Sequence, residues 1–325
     1  MVHAIRVHKT GGPEVLTWET VDVPAPAAGE IRIRHTAIGL NFIDTYFRTG
    51  LYPAPNGLPF IPGNEGAGEV VAVGEGVSGL REGDRVAYAG PIGSYSEERV
   101  IAADRVVKVP EGIDDKSAAA MMLKGMTAQY LLRQTYKVGP ETTLLFHAAA
   151  GGVGLIAGQW AAHLGATVIG TVGSEEKAEL ARANGYAHVI NYRTENFVER
   201  VKEITGGKGC DVVYDSVGKD TYPGSLDCLK PLGLWASFGQ SSGPIQDFNL
   251  GLLAQKGSLF ATRPTLFTYI ATHEKLEQTA SDLFSVVRSG AVNIAINQEY
   301  GLSDAARSHE ELEGRKTTGA SVLVP

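Results

Sequence analysis

The chain has 325 residues, 43% hydrophobic and 20% charged, with a formal net charge of −7; this is the balance of an ordinary globule larger than one core, so two domains are expected. The acidic balance excludes a general polyanion binder and argues against nucleic acid as a partner, because counterion-driven binding needs a basic face. Cys210 and Cys228 are too few for a disulfide framework or a four-ligand zinc site, and the amino end lacks an apolar secretory segment, so the cytoplasm is the default compartment.

Residues 1 to about 120 read as short strands, over 4–7, 30–37, 68–73 and 85–88, separated by GGP, PAPAAGE, YPAPNGLPFIPG and REGD. No helix-length amphipathic period stands out, which predicts a mostly antiparallel β domain. Within it, residues 38–53 gather Asn41, Asp44, Tyr46, Arg48 and Tyr52 among apolar spacers. Tyr46 and Tyr52 can donate to a carbonyl oxygen or stack on a flat ring, or simply pack with wet hydroxyls. Asn41 can hold a carboxamide or a hydroxyl. In residues 62–77, five glycines bend a strand pair around Glu65. A carboxylate in that apolar setting needs a partner, and an ion pair or backbone cap is the reading favoured over proton handling.

Residues 116–140 turn Ala/Leu/Met-rich with helical spacing; two helices divided at Gly125 are predicted, carrying the chain into a second domain. A strand over 143–146 and a helix over 153–164 follow. Between them, Ala149, Gly151 and Gly154 overlay the G-x-G-x-x-G spacing. Small residues there let the backbone turn sharply and let a pyrophosphate approach the first helical amides. Residues 142–174 carry no Lys, Arg, Asp or Glu, but the glycines, Gln159 and the strand–helix–strand period argue against a membrane span.

The second strand, 167–172, leads to Ser174 and Lys177. Ser174 is a good N-cap. Lys177 stands where a capping box wants Glu or Gln, and a cation in a first turn costs about 0.3–1 kcal/mol against the helix dipole. A 2′-phosphate would offset that cost, so NADP is favoured over NAD. A third strand, 188–191, should bring Tyr192 beside the second strand's end, near adenosine. Strands over 211–215 and 234–238 place Val217, Gly239 and Ser241 at carboxyl ends facing the ligand crevice of a doubly wound sheet. A sixth, outer strand within 257–264 invites pairing with a second copy, hence a homodimer. The remainder offers a helix over 273–289, a short strand over 292–296, a helix over 303–312 and a strand over 321–324 that returns to the first domain. Arg315 and Lys316, just before it, can contact a phosphate or solvate a turn.

GGPEVL, the 41–53 segment, the 62–77 glycine strand, AAAGGVGLIA, NYR and VYDSVG occur in this order. In these motifs, along essentially its whole length, the chain resembles the zinc-independent quinone oxidoreductases of the medium-chain dehydrogenase/reductase superfamily, the group related to ζ-crystallin. The resemblance implies an α/β fold: a GroES-like β-barrel catalytic domain (1–122, completed by 265–325) and a Rossmann doubly wound parallel-sheet domain (123–264). It also implies NADPH as cofactor and a small-molecule quinone as substrate. Zinc-bearing relatives carry a Cys, and a His before Glu, at places held here by Asn41 and Asn64 before Glu65, so no metal is expected. By the same resemblance the cofactor pocket comprises Asn41, Thr127, Gly151, Gly152, Val153, Ser174, Lys177, Tyr192, Val217, Gly239, Ser241 and Arg315. Tyr46 and Tyr52 stand near nicotinamide and quinone, with Tyr46 and Asn41 expected to stabilise the quinol oxyanion. Enone or 2-alkenal reduction, and NADPH or RNA binding without turnover, are the rival readings.

Overall fold

The computed structural model describes residues Met1–Pro325 and divides into two units. Unit 1 comprises Met1–Met126, Ile270–Phe284 and Ile294–Pro325; unit 2 comprises Thr127–Tyr269 and Ser285–Asn293. No helix is long and apolar enough to cross a membrane.

Unit 1 opens with the antiparallel pair β1 (Val2–Val7) and β2 (Leu16–Val21). There follow β3 (Glu30–Leu40), α1 (Phe42–Thr49), β4 (Glu65–Val73), β5 (Arg85–Ala89), β6 (Glu98–Ala102), β7 (Val107–Lys108) and α2 (Asp115–Tyr130). Unit 2 runs through β8 (Thr143–Phe146), α3 (Gly152–His163), β9 (Thr167–Val172), α4 (Glu175–Arg182), β10 (His188–Asn191) and α5 (Phe197–Ile204). It continues with β11 (Cys210–Asp215), α6 (Gly224–Asp227), β12 (Leu229–Ser237), α7 (Gly251–Gln255), β13 (Phe260–Thr262) and α8 (Leu266–Tyr269). The chain then forms α9 (His273–Arg288), β14 (Ile296–Gly301), α10 (Ala305–Glu313) and β15 (Ala320–Val324).

The unit 1 sheet has the order β14-β15-β3-β4-β5-β7, with β6 also on β3. All its pairs are antiparallel except β14–β15. The carboxyl-terminal strand thus completes the amino-terminal sheet, Leu323 opposite Ile38. Alternate residues of β3 face a core with Val70, Val86 and Ile101, as a half-buried sheet requires. The ladder expected over 292–296 starts only at Ile296, opposite Ala320. Val292 is instead buried in the turn after α9, its amide bonded to Val286 O.

Two further expectations are corrected in unit 1. Residues 42–49 form a helix that the periodicity did not reveal. The buried side of α1 is polar, with Asp44, Thr45 and Arg48, so the hydrophobic pattern points the wrong way. Gly125 does not divide α2, which runs unbroken to Tyr130 before a π-helical turn at Leu131–Thr135. Its lack of a side chain serves packing: a Cβ there would stand 2.5 Å from Leu283 Cδ1.

Unit 2 is a six-stranded, wholly parallel sheet, order β10-β9-β8-β11-β12-β13. The order reverses between β8 and β11, and ligands of such sheets bind outside the carboxyl ends at that point. Its core packs Leu145, Ile169, Ile190, Val213 and Trp235, with α5 adding Val201. Helix α3 lies close on the sheet because Gly158 faces Tyr186, whose ring would be 2.2 Å from an added Cβ. Ser285–Asn293 belongs with this unit: Gln159 of α3 accepts from Asn293 N at 2.8 Å and donates to Asn293 O at 3.1 Å.

Candidate functional site

In unit 2 the turn after β8 places Ala148 in the left-handed region, φ 57°, and Gly151 at the N-cap of α3. No side chain caps α3, whereas Ser174 caps α4 and Asn196 caps α5. Gly151, Gly152 and Val153 are half-buried, so the first amides of α3 can be reached. Gly154 pins the helix onto the turn, since a Cβ would stand 2.4 Å from Ala148 O and 2.6 Å from Ala149 O. A helix start of this kind, with orphan donors and a positive dipole end, fits a pyrophosphate.

The ends of β9 and β10 gather a second group. Ser174 Oγ accepts Lys177 N at 3.3 Å, which fixes Lys177 at the third position of α4. Glu175 is paired with Arg182 at 2.7 Å. Tyr192 donates its amide to Val172 O at 3.1 Å, and its hydroxyl stands 2.5 Å from where a Gly173 Cβ would be. Ser174, Lys177 and Tyr192 therefore share one edge of the carboxyl end, with Tyr192 44% exposed.

The ends of β11 and β12 form a third. Buried Asp215 accepts from Val217 N (2.9 Å), Gly218 N (3.1 Å), Thr221 Oγ1 and Ser225 Oγ (2.8 Å each) and Trp235 Nε1 (3.3 Å). Ser241 N donates to Ser216 O at 3.1 Å, and a Gly239 Cβ would meet Ser216 O at 2.6 Å. Val217, Gly239 and Ser241 thus sit on two interlaced loops. Thr127, the first residue of unit 2, is buried in α2.

In unit 1 the segment after β3 carries the chemistry. Asn41 is the N-cap of α1, and the Asp44 carboxylate at the third helical position accepts Asn41 N at 2.9 Å. Asp44 Oδ1 accepts Asn64 Nδ2 at 2.7 Å, and Oδ2 accepts the Tyr95 hydroxyl at 3.1 Å. Burial pushes Asp44 up to about 7, although the Asn64, Asn41 and Tyr95 donors pull the other way. Tyr95 in turn meets His309 Nε2 at 3.0 Å, and Arg48 Nη1 meets His309 Nδ1 at 3.0 Å. Arg48 can only donate, so Nδ1 is the acceptor, Nε2 carries the proton, and the chain of donors runs from Arg48 to Asp44. Burial, with Arg48 beside it, holds His309 down at about 3, hence neutral. Arg48 also donates bidentately to Glu313 at 2.9 Å and to Gly11 O at 3.1 Å.

Glu65, wholly buried, accepts Asn41 Nδ2 at 2.9 Å, Lys124 Nζ at 2.6 Å and Leu123 N at 2.5 Å. Tyr46 and Tyr52 are half-buried and pack edge to face, centroids 5.3 Å apart, with Phe47 edge-on to Tyr52 at 5.8 Å. Arg315, in unit 1, is exposed at φ 57° after α10. No group of three His, Cys, Asp or Glu side chains is placed to hold a metal ion. Sequence reasoning missed Lys124, Tyr95, His309 and Glu313. A signal existed for the first: Lys124 and Glu65 are lone opposite charges, each in an otherwise apolar run.

Residues 152–285 match the family described as zinc-binding dehydrogenase, and residues 27–111 match the alcohol dehydrogenase GroES-like domain. The chain is 56% identical to a quinone oxidoreductase of Pseudomonas aeruginosa, over 100% of both chains. It is 53% identical to the structure of Escherichia coli quinone oxidoreductase complexed with NADPH, with a TM-score of 0.97 and coverage of 99% of this chain and 100% of that one. A 2-haloacrylate reductase of a Burkholderia species is 48% identical, over 100% of this chain and 99% of its own.

Proposed function

Because this chain belongs to the zinc-independent quinone oxidoreductases of the medium-chain dehydrogenase/reductase superfamily, we propose that it reduces quinones with NADPH. The observation that carries the reading is the uncapped opening of α3 above Gly154, in a chain matched end to end by such enzymes. When bound, NADPH supplies a hydride from nicotinamide C4. The protein's part is to hold and orient. Gly151, Gly152 and Val153 bring the amides that grip the pyrophosphate. Ser174 and Lys177 take the 2′-phosphate, and Tyr192 packs on the adenosine end. Val217, Gly239 and Ser241 line the strand ends, with Thr127 in the same unit. Unit 1 is the catalytic domain and unit 2 the nucleotide-binding domain.

On unit 1, Tyr46 donates to the developing quinol oxygen, with Asn41 beside it at the start of α1, and Tyr52 packs on the flat acceptor; orientation is the main contribution. The NH2 groups of Asn41 and Asn64 are engaged by Glu65 and Asp44. A neutral carboxamide is a weaker zinc ligand than the Cys thiolate or His imidazole of zinc-bearing relatives, which suits acceptors that take hydride without a Lewis acid. Stopped-flow mixing of the enzyme and NADPH with excess ortho-naphthoquinone tests the assignment: NADPH absorbance should decay within the mixing series, and an unchanged trace would remove it.

The similarity to a 2-haloacrylate reductase gives a second reading, reduction of an activated alkene. A panel of quinones and 2-haloacrylates separates the two by kcat/KM. We further read edge strand β13, with Phe260 60% exposed, as a homodimer contact, and place the protein in the cytoplasm with no nucleic-acid partner. Sedimentation at micromolar concentration should give twice the chain mass.

A further inference from the structure

Two loops flank the place in unit 2 where the strand order reverses, the turn after β8 and residues 216–218 after β11. A buried polar side chain stands at the root of each. His147 leads into the turn, and Thr171 of β9 holds it: the Thr171 carbonyl accepts Ala149 N at 3.0 Å, and its hydroxyl meets His147 Nδ1 at 2.9 Å. Asp215 holds the second loop, its carboxylate accepting Val217 N at 2.9 Å and Gly218 N at 3.1 Å. Its carbonyl accepts Phe238 N at 2.8 Å, so the loop after β12 hangs from it as well. Between the two roots stands Ser225 of α6, with Oγ 3.1 Å from His147 Nε2 and 2.8 Å from Asp215 Oδ2. Thr171, His147, Ser225 and Asp215 are all at least nine-tenths buried.

This chain of hydrogen bonds runs one way. Burial alone would raise Asp215, but His147 and the Ser225, Gly218 and Thr221 donors hold its carboxyl below the usual range, so it is ionised. A carboxylate only accepts, so Ser225 donates to it and must accept from His147. Nε2 therefore carries the imidazole proton, and Nδ1 accepts from the Thr171 hydroxyl. Burial lowers His147 and keeps it neutral. Every hydrogen-bond donor to Asp215 is neutral. A buried carboxylate without a cation costs stability that a neutral side chain would not, so holding the fold together does not call for a charge here.

We propose that Asp215 and His147 are positioning residues: linked through Ser225, they fix the spacing between the turn after β8 and the loop after β11, and so pre-form the crevice of unit 2 that receives the pyrophosphate and the nicotinamide half of NADPH. This rests on the NADPH reading above and deepens it. Both side chains are buried and act through the loops they hold, not by touching the cofactor. The edge formed by Ser174, Lys177 and Tyr192 is held by other bonds, from Lys177 N to Ser174 Oγ and from Tyr192 N to Val172 O.

Titration of the full chain with NADPH and with adenosine 2′-monophosphate, which spans only that edge, tests this without quinone turnover. Asp215→Asn keeps the shape of the side chain and removes the charge that directs the chain of bonds. Its Kd for NADPH should rise about tenfold, the size of one lost neutral hydrogen bond, while its Kd for adenosine 2′-monophosphate stays within about twofold of wild type. Equal changes for the two ligands, or a wild-type Kd for NADPH, overturn the proposal. Should that variant not fold, Ser225→Ala decides by the same pair of constants, because it cuts the link and leaves the other donors to Asp215 in place. Nitrogen NMR of labelled histidine reads the direction of the chain. The His147 signals, identified by their loss in His147→Gln, should be those of the Nε2–H tautomer; the Nδ1–H form overturns the role given to Asp215. If wild-type protein binds no NADPH, the cofactor reading itself fails; if it binds and the variants match it, this inference alone does.

Discussion

The turn between β8 and α3 in unit 2 and the cluster under α1 in unit 1 both depend on close approach, but different groups approach. At the turn, backbone meets backbone: Gly154 lies against Ala148 O and Ala149 O, over an apolar core. Under α1, charged side chains meet in the interior: Arg48 with Glu313, Lys124 with Glu65, and Tyr95 on Asp44. The first arrangement tolerates no added atom. The second tolerates no lost partner, because each buried charged or polar group depends on its named partners. Steric sites and electrostatic sites therefore fail in opposite ways, by enlargement and by deletion.

Substitutions can break this contrast. The largest effect is expected for Arg48→Met, which leaves His309, Gly11 O and Glu313 without their donor; urea unfolding should show a loss of about 3–4 kcal/mol. Gly154→Ala pushes a methyl into two backbone carbonyls; a loss of about 2–3 kcal/mol is expected, with NADPH affinity falling in step because the α3 amides shift. Lys177→Glu should leave stability nearly unchanged yet raise the KM for NADPH by roughly thirtyfold, about 2 kcal/mol for a charge-assisted contact, and spare NADH. Equal changes for both cofactors would remove the 2′-phosphate role.

The pH dependence sharpens the electrostatic side. Burial holds His35 and His309 at about 3 and lowers His147, so the unfolded chain binds protons that the fold refuses. Stability supplied by these groups is present above the ordinary imidazole range and is lost as pH falls below it. Asp44, raised to about 7 by burial, has the other sign: between about pH 4 and 7 its stability contribution falls as pH rises. Asp44→Asn removes that opposing proton. Unfolding midpoints at pH 5 and 6 should then rise more steeply with pH, by about 1.4 kcal/mol per unit. The smallest effect is expected at Ala148, whose φ of 57° is strained for a side chain. Ala148→Gly should gain up to about 1 kcal/mol, read as a higher thermal midpoint.

Unit 2 was legible because its signals are local. Strands β8, β9 and β10 coincide with the runs 143–146, 167–172 and 188–191, and the small-residue spacing named the turn between β8 and α3. Tyr192 could be placed beside Gly173 because β10 must lie next to β9. In unit 1 the strands showed but α1 did not, its buried side being polar. The partners of Asp44 and Arg48 come from positions 64, 95, 309 and 313, too far apart in sequence for any spacing to reveal.

The order of residues alone determined the parallel sheet, the small-residue turn before α3 and the lysine at the third position of α4, since each follows from periodicity or steric limits within a dozen residues. Only the tertiary structure decided which charge meets which, and hence that the Asn41 carboxamide is tied to Glu65. Compensating a buried charge requires groups brought together from distant segments, and that selection is made by the folded interior, where an unpaired charge is too costly to persist.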